Sequence, residues 1–268
     1  MINFLATFKK NNQTNRRAYP LTTVMGEVVM GVAFILFPLF TYYYLFQGNV
    51  SDSFVEATGG SDYVTFITKG VSISILSIAT LFNCSRAFII EIWEGTLDPF
   101  LMSPAPRIPY YFGVFAEQLS RSLIGFTVTL LVGIAFGARF PIGSLHNYVV
   151  ILGLVLIANF SLAVSISTIM VYTRNTYITQ NTIFSAMYFI CGMIFPVSFL
   201  PMPLQYLSQI FPLTPALTLI RAASLPHFFL GEYATYIIQL CVLSIIYFFV
   251  GYLLFRKHEK KLIENVLS

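Results

Sequence analysis

Charged residues are scarce in this sequence: Asp, Glu, Lys and Arg make up only 10% of its 268 residues, while 57% are hydrophobic. A water-soluble domain of this size carries about 25% charged residues, which cover its surface. With so few charges the chain could not cover a water-facing surface, so lipid is its expected solvent. The composition therefore predicts an integral membrane protein. It does not indicate nucleic-acid binding, because the Lys and Arg residues lie in short clusters beside apolar runs.

Cysteine and histidine are also rare, with three residues of each. Cys84, Cys191 and Cys241 lie within or at the ends of apolar runs, and the sequence has no CxxC motif or Cys/His cluster. An odd number of isolated cysteines argues against a disulfide framework and against a zinc site. We expect no metal site and no cofactor bound by this chain itself.

Motifs of several functional classes are missing as well. The sequence has no Gly-Lys dipeptide, and so it lacks the P-loop GxxxxGK[ST] that binds nucleotide phosphates. GxSxG and HExxH are absent, and no predicted span carries two carboxylates, which disfavours a membrane-embedded enzyme. An ion-coupled secondary transporter is a further alternative. That class typically shows intramembrane charges and paired broken helices.

Long apolar runs are what the sequence has in abundance. About 20 apolar residues span a bilayer core, and backbone groups in lipid must bond within their own segment, so each run is predicted to be a helix. The sequence predicts an all-α integral membrane protein with one transmembrane domain over residues 1–268 and six transmembrane helices. The predicted spans are residues 24–46, 64–83, 113–136, 148–172, 179–200 and 236–255.

The connection between the last two predicted spans is rich in proline, which breaks helices into short pieces. Its stretches 204–211 and 216–225 are nevertheless apolar, which predicts short re-entrant helices in the outer leaflet before the last span. The six prolines of this region are Pro196, Pro201, Pro203, Pro212, Pro215 and Pro226.

The distribution of Lys and Arg predicts the orientation in the membrane. Basic residues are concentrated before the first span and after the last, whereas the loop after the first span carries three acidic residues and no basic one. Because cytoplasmic loops are enriched in Lys and Arg, both termini of a multi-pass protein in the cytoplasmic membrane are expected inside. The residues used are Lys9, Lys10, Arg16, Arg17, Arg256, Lys257, Lys260 and Lys261, and Asp52, Glu56 and Asp62.

The connection between the second and third predicted spans, at about 84–112, is long and amphipathic. Its apolar residues are expected to face apolar neighbours, and its acidic residues to face water or a protein partner. Acidic residues do not suit contact with anionic lipid, so a protein partner is favoured over the membrane surface, and an ordinary solvated loop is the alternative. The apolar set is Ile89, Ile90, Trp93, Leu97 and Leu101, and the acidic set is Glu91, Glu94 and Asp98.

This connection resembles the signature of type-2 ABC transporter permeases, in which a Glu is followed by Gly-Thr-Leu-Glu, two Leu-like residues and Ser/Thr-Pro. Asp98 replaces the usual Glu, and Pro99, where a helix former is common, is expected to end the helix early. A second segment, Pro212 to Arg221, is similar to the family pattern Pro-Leu-Thr-x-Ala-x-x-x-x-Arg. The residues in register with the first signature are Glu91, Gly95, Thr96, Leu97, Asp98, Phe100, Leu101, Ser103 and Pro104.

The resemblance implies the membrane subunit of an ABC exporter, which is not itself an enzyme. It implies a coupling helix at about 87–104 that docks on an ATPase subunit; the expected contact residues are Glu91, Glu94, Gly95, Thr96, Leu97, Asp98 and Pro104. It also implies two copies of that ATPase, which bind ATP and Mg, and a second permease chain, identical or related. No nucleic acid is expected as a partner.

The substrate class is less constrained by the resemblance. Relatives in this family export drugs, antibiotics or peptides, or lipid-linked polysaccharides. The polysaccharide branch usually has Arg-Asp, Arg-Tyr and Leu-Gly-x-x-Trp before the first span, and residues 11–20 lack that pattern. The expectation is therefore a hydrophobic or amphipathic drug, antibiotic or peptide, with a lipid-linked polysaccharide as the alternative.

The second predicted span carries a polar stripe on one helical face. One hypothesis is that it lines a translocation path, because polar groups that face lipid are costly. The alternative is that it forms polar contacts between packed helices, with Lys69 reaching the outer interface. The stripe consists of Thr65, Lys69, Ser72, Thr80 and Asn83.

Two further pairings are predicted near the cytoplasmic side. Glu117 and Arg121 are four residues apart, the spacing of a favourable helical ion pair. Glu27, at the start of the first span, faces the inner vestibule or pairs with an arginine such as Arg86.

Overall fold

Helices form every regular element in the part of the chain that the computed structural model describes, which is residues 2–18, 22–103, 106–141, 144–173, 176–223 and 231–267. The all-α membrane fold predicted from the apolar runs is confirmed. The helices are α1 Ile2–Ala18, α2 Thr22–Phe40, α3 Asp52–Thr58, α4 Tyr63–Ser85, α5 Ala87–Trp93, α6 Leu97–Met102, α7 Arg107–Ala135, α8 Leu145–Thr173, α9 Thr176–Ile190, α10 Met202–Ser208, α11 Leu213–Ala222 and α12 Ala234–Leu267.

Five of these helices are long and apolar enough to cross a membrane, counted over the described residues. They match five of the six predicted spans. α9 differs, because it ends at Ile190 while the predicted span continues to residue 200. At 1.5 Å per residue its 15 residues reach about 22 Å, less than the roughly 30 Å of a bilayer core. The sixth span therefore stays a prediction. The five stretches are Val24–Leu45, Tyr63–Ser85, Arg107–Ala135, Leu145–Met170 and Ala234–Lys257.

The early end of α9 has a local cause. Gly192 adopts a φ of +80°, a conformation that glycine tolerates and that commonly terminates helices. The chain then turns through Pro196 into a single 3-10 turn, Val197–Phe199. The apolar run thus continues in sequence, but its helix does not.

Helix α4 is the centre of the bundle. α2, α7, α8 and α11 pack around it, and 94% of its most apolar window is buried within the protomer. Outside this layer, α1 packs on α7, and α12 packs on α8. A hydropathy profile alone would place α4 among the lipid-facing spans, but the other helices separate it from lipid.

Two close helix crossings depend on glycine. A Cβ atom at Gly133 of α7 would overlap the side chain of Thr68 in α4. A Cβ atom at Gly251 of α12 would lie 2.7 Å from the backbone nitrogen of Ser165 in α8. Small residues allow membrane helices to approach this closely, and van der Waals packing there replaces the hydrophobic driving force that is absent in lipid.

The short helices α5 and α6 lie at one end of the bundle, which we call the α5–α6 end. Phe88 of α5 is fully buried and stacks on Phe255 near the end of the apolar stretch of α12, with ring centroids 5.2 Å apart. Its ring also contacts Tyr110 and Tyr111 in the first turns of α7, at 5.3 and 4.8 Å. One aromatic side chain therefore joins α5, α7 and α12.

Helix α1 lies at the same end and packs closely on α7. A Cβ atom at Gly113 would be 2.8 Å from the Cβ of Thr7. The N-terminal helix and the end of the α12 span therefore share one end of the bundle, as the sequence predicts. Which side of the membrane this end faces stays a prediction.

The predicted short helices before the last span are present as α10 and α11. Leu213, Ala216 and Leu217 of α11 are fully buried in the hydrophobic core, so α11 is an internal element of the bundle. Of the six prolines noted above, Pro226 lies outside the described residues.

Candidate coupling site

The connection predicted to be one helix over residues 87–104 is two short helices joined by a turn. Gly95 adopts a φ of +67° at the turn, and the Thr96 amide donates back to the carbonyl of Glu91 at 2.9 Å. A left-handed residue at this position ends α5 and lets the chain reverse into α6. The prediction of one continuous helix is therefore wrong.

Pro99 does not shorten α6. It is the third residue of that helix, where a backbone N–H would have no partner within the helix in any case. α6 ends instead at Met102, because the next residue, Ser103, has an extended conformation (φ −77°, ψ 146°). Pro104 follows, and a residue before proline is biased towards such a conformation.

Glu91 turns into the protein, which corrects the expectation that it faces water or a partner. The residue is 4% exposed, and its carboxylate accepts three hydrogen bonds. The Lys10 ammonium donates at 2.6 Å and the Tyr110 hydroxyl at 3.0 Å, both to Oε1, and the Thr96 hydroxyl donates to Oε2. These donors replace the water that a buried carboxylate loses.

The hydrogen bonds decide the charge state of Glu91. Burial alone raises the pKa of this carboxyl, but the Lys10 ammonium and the Thr96 and Tyr110 hydroxyls outweigh burial and hold the pKa below its ordinary value. Glu91 is therefore a carboxylate at neutral pH. It fixes α5 to α1 through Lys10 and to α7 through Tyr110.

A different set of side chains faces outwards from this site. Trp93, expected to face apolar neighbours, is 56% exposed, and the Arg86 guanidinium lies 5.6 Å from its ring. Ile90 is also exposed, whereas Ile89 and Leu97 are buried as expected. Glu94 faces solvent, as its charge predicts. We call the exposed residues Ile92, Trp93, Glu94, Gly95 and Met102 the α5–α6 patch.

The patch has the composition of a protein-binding surface. Trp is enriched among the residues that contribute most to protein–protein binding, Met is enriched in interfaces, and exposed apolar patches mark interaction sites. The buried Glu91 network holds the base of the patch in place. Among the other expected contact residues, Thr96 is half-buried against Glu91, and Pro104 and the side chain of Asp98 lie outside the described part of the structure.

A polar chamber of about 430 Å³ lies behind the patch, between α1, the α4–α5 junction and α7. The predicted pair of Glu117 and Arg121 is present there, with Nε 2.9 Å from Oε1. Asn15 of α1 also donates to Glu117, at 3.2 Å. α1 is thus held by two carboxylates, one on each side of the chamber.

The suggested pairing of Glu27 with Arg86 is wrong. Glu27 accepts a hydrogen bond from the Gln118 side chain at 2.9 Å, and Gln118 is in turn bonded by Arg121. Arg86 lies instead over the rings of Phe82 and Trp93. Gln118, a neutral residue, is the link that sequence reasoning missed.

The polar stripe of the second span does not converge on one cavity among the described residues. The Lys69 side chain is buried, 5.5 Å from the ring centroid of Phe140. Thr65 accepts from the Arg139 amide at 2.9 Å. Such contacts favour polar packing between helices, and the translocation path stays a prediction.

The other three stripe residues are similarly local in their contacts. Ser72 is buried, and Thr80 donates to the carbonyl of Leu76 at 2.7 Å. Asn83 donates to the carbonyl of Ala79 at 3.0 Å and also lines the polar chamber. Asn83 is therefore a stripe residue that lines an open space.

Lys10 and Tyr110 contact Glu91, and sequence patterns alone could not select either of them. Lys10 lies 81 residues before Glu91, and only the packing of α1 on α7 brings them together. The available signal was a basic residue in an amphipathic N-terminal helix and an acid in the connection. No spacing rule links such distant residues.

The chain is similar to known proteins over most of its length. The family model described as ABC-2 type transporter matches residues 3–225. Nodulation protein J of Sinorhizobium fredii is 27% identical over 252 residues, which cover 93% of this chain and 91% of that protein. Nodulation protein J of Bradyrhizobium diazoefficiens is 25% identical over 207 residues, covering 74% and 75%.

Proposed function

The chain belongs to the ABC-2 type transporter family, and we propose that it is the membrane-spanning subunit of an ATP-driven exporter. The chain contains no P-loop, so ATP hydrolysis is assigned to a separate partner. The proposed complex contains two copies of an ABC ATPase subunit, which bind ATP and Mg, and a second permease chain that is identical or related. Membership of the family makes this chain a transport subunit and not the ATPase.

One observation carries the proposal: the α5–α6 patch is exposed while its base is fixed to three helices. Glu91 connects α5 to α1 and α7, and Phe88 connects it to α7 and α12. A displacement imposed on the patch by an ATPase is therefore transmitted to these helices. A loosely attached loop would absorb the same displacement.

The substrate class that we propose is a lipid-linked polysaccharide or lipo-oligosaccharide. The likeness to two nodulation proteins favours this class over the drug, antibiotic or peptide expected from the sequence. The missing N-terminal pattern of the polysaccharide branch therefore does not outweigh the comparison over most of the chain.

We place the α5–α6 end on the cytoplasmic side of the cytoplasmic membrane. The basic residues of α1 and of the segment after the α12 span lie at this end in the chain topology, and such residues are enriched on the cytoplasmic side. An ATPase that uses cytoplasmic ATP would then meet the patch directly. Both termini are cytoplasmic in this arrangement.

Isolation of the complex tests the proposal. The tagged chain is purified from its native membrane in mild detergent, and its stoichiometric partners and their ATP hydrolysis are measured. We expect an ATPase partner that is lost from the Trp93→Ala/Glu94→Lys variant, because both substitutions act on the exposed patch. Glu56→Lys, at an exposed position of α3, is the matched charge control and should retain the partner.

The opposite results would overturn the proposal. If the chain purifies without a nucleotide-binding partner, under conditions that preserve a known ABC complex, it does not form the proposed complex with an ATPase. Equal loss of the partner from the patch variant and from the Glu56→Lys control would remove the patch from the interface. For the substrate, accumulation of lipid-linked saccharide in cells that lack the chain supports the class, and unchanged levels contradict it.

A further inference from the structure

A groove opens at the α5–α6 end, between the first turn of α7, the middle of α8 and the last part of the α12 span. Its volume is about 430 Å³, and most of its walls are aromatic or aliphatic. The wall residues include Ile108, Tyr111, Phe160, Val164, Phe248 and Tyr252. The site is separate from the polar chamber, which lies on the α1 side of α7.

Two arginines border this groove. The Arg107 guanidinium donates to the carbonyl of Phe100 at 2.8 Å and lies 4.6 Å from the ring centroid of the same residue. Arg256 projects from α12 as an exposed side chain, with its guanidinium 5.9 Å from the ring centroid of Tyr252. The Phe100 carbonyl and ring thus hold the Arg107 guanidinium at one rim of the groove. The Arg256 guanidinium, at the other rim, lies near the Tyr252 ring.

The surface around the groove is apolar. Phe112 of α7 and Phe249 and Leu253 of α12 are exposed large hydrophobic residues. Helix α7 begins at Arg107, and the apolar stretch of α12 ends at Lys257. In a membrane the two guanidinium groups therefore lie at the height of the lipid headgroups, and the aromatic walls lie at the height of the acyl chains.

We propose that this groove is a binding site for one anionic phospholipid of the leaflet at the α5–α6 end. The phosphodiester binds at Arg256 and Arg107, since guanidinium groups are suited to phosphate recognition. An acyl chain packs on Phe160 and Phe248. Lys260 and Lys261 follow in the sequence and add to the positive field that attracts anionic lipid.

The position of the groove gives the bound lipid a structural role. Arg107 is bonded to the end of α6 through Phe100, and Arg256 belongs to α12. A lipid phosphate between them links the end of α12 to the segment that carries the α5–α6 patch. This inference needs only a membrane setting, and it does not depend on the proposed ATPase or substrate.

Native mass spectrometry of the full-length chain in detergent tests the site. Phosphatidylglycerol and phosphatidylcholine with the same acyl chains are titrated as probes. We expect one phosphatidylglycerol to bind more tightly than phosphatidylcholine. In the Arg256→Gln variant we expect that binding to weaken about tenfold, because a charge-assisted contact to phosphate is lost. Lys257→Gln is the matched control, since the next residue along a helix projects about 100° away.

Two results would overturn the proposal. Equal binding of the two lipids means that the groove does not recognise an anionic headgroup. Equal loss in Arg256→Gln and Lys257→Gln means that general surface charge attracts the lipid. A groove-filling variant, Ile108→Trp, leaves both arginines in place and should also release the tightly bound phosphatidylglycerol. Retention of the lipid in that variant would place the lipid elsewhere.

Discussion

The Lys10 ammonium lies 2.6 Å from the Glu91 carboxylate, although the two residues are 81 positions apart. Lys10 belongs to the N-terminal helix, and Glu91 belongs to the segment that carries the exposed patch. The two ends of this pair differ in environment, since the Lys10 side chain is 44% exposed and that of Glu91 is 5% exposed. This asymmetry predicts different costs for removing each partner.

Replacing Glu91 by Ala should destabilise the protein strongly, by about 3 kcal/mol, because it leaves the Tyr110 and Thr96 hydroxyls without their buried acceptor. Lys10→Met should cost about 1 kcal/mol, since an exposed ammonium is screened by water and Glu91 keeps two donors. Thermal unfolding in detergent measures both values. Glu94→Ala is the control at an exposed neighbour and should change stability by less than about 0.5 kcal/mol.

The same carboxylate predicts a response to acid. The pKa of Glu91 in the folded protein lies below its ordinary value of 4.5. As pH falls, the unfolded chain therefore binds the proton first. The stabilising contribution of Glu91 is complete above about pH 4.5 and is lost as the pH falls through the lower folded pKa.

Hydrogen exchange of the α1 amides measures this response. Protection of α1 should be constant from pH 7 to pH 5 and fall below pH 4.5. A second carboxylate, Glu117, also contacts this helix, through a hydrogen bond from Asn15. The relevant quantity is therefore the difference between the natural chain and Glu91→Gln. A difference that does not change with pH would contradict the assigned charge state.

The transmembrane helices could be predicted from sequence because apolar composition over about 20 residues is a local property. The end of α9 could not, since the positive φ of Gly192 interrupts a run that remains apolar to residue 200. A hydropathy scale has no term for backbone conformation. Helix α4 shows a related limit, because its burial by four neighbours follows from packing and not from its own residues.

In the segment of the candidate site, the orientation of the acidic residues could not be predicted from sequence. An acidic residue in an amphipathic connection normally faces water, and Glu94 does. Glu91 is buried because Lys10 and Tyr110 arrive from distant parts of the chain. Sequence periodicity assigns a face to each residue, but only tertiary contacts decide which face is covered.

The crossing of α8 and α12 should be sensitive to a single methyl group. Gly251→Ala places a Cβ atom 2.7 Å from the backbone nitrogen of Ser165, and two helix backbones must then separate. We expect a loss of about 1–3 kcal/mol, the usual cost of overpacking. Gly153→Ala in α8 is the matched control, because nothing lies within 4 Å of its added Cβ.

The control substitution should be neutral or slightly stabilising, since Ala favours a helix over Gly by about 1 kcal/mol. Melting temperatures from size-exclusion profiles of heated samples compare the two variants directly. Equal melting temperatures would mean that α8 and α12 do not cross as closely as the structure has them.

Arg221 should be required for the junction between α9 and α11. Its guanidinium donates to the carbonyls of Gly192 and Met193, at 2.8 and 2.9 Å, directly after the end of α9. It also lies 3.5 Å from the ring centroid of Phe66 in α4. One side chain thus provides hydrogen-bond donors for two carbonyls in the turn after α9, and a cation near the C-terminus of a helix is favoured by the helix dipole.

Arg221→Met keeps much of the side-chain volume and removes these donors, so we expect a loss of about 2–4 kcal/mol from two buried carbonyls left without a partner. Arg221→Lys should recover only part of it, because one ammonium cannot reproduce the planar geometry of two parallel N–H donors. Arg139→Met removes an exposed arginine near the same end of α4 and serves as the control. Thermal unfolding ranks the three variants, and full recovery by Lys would show that charge at this position matters more than the fixed pair of hydrogen bonds.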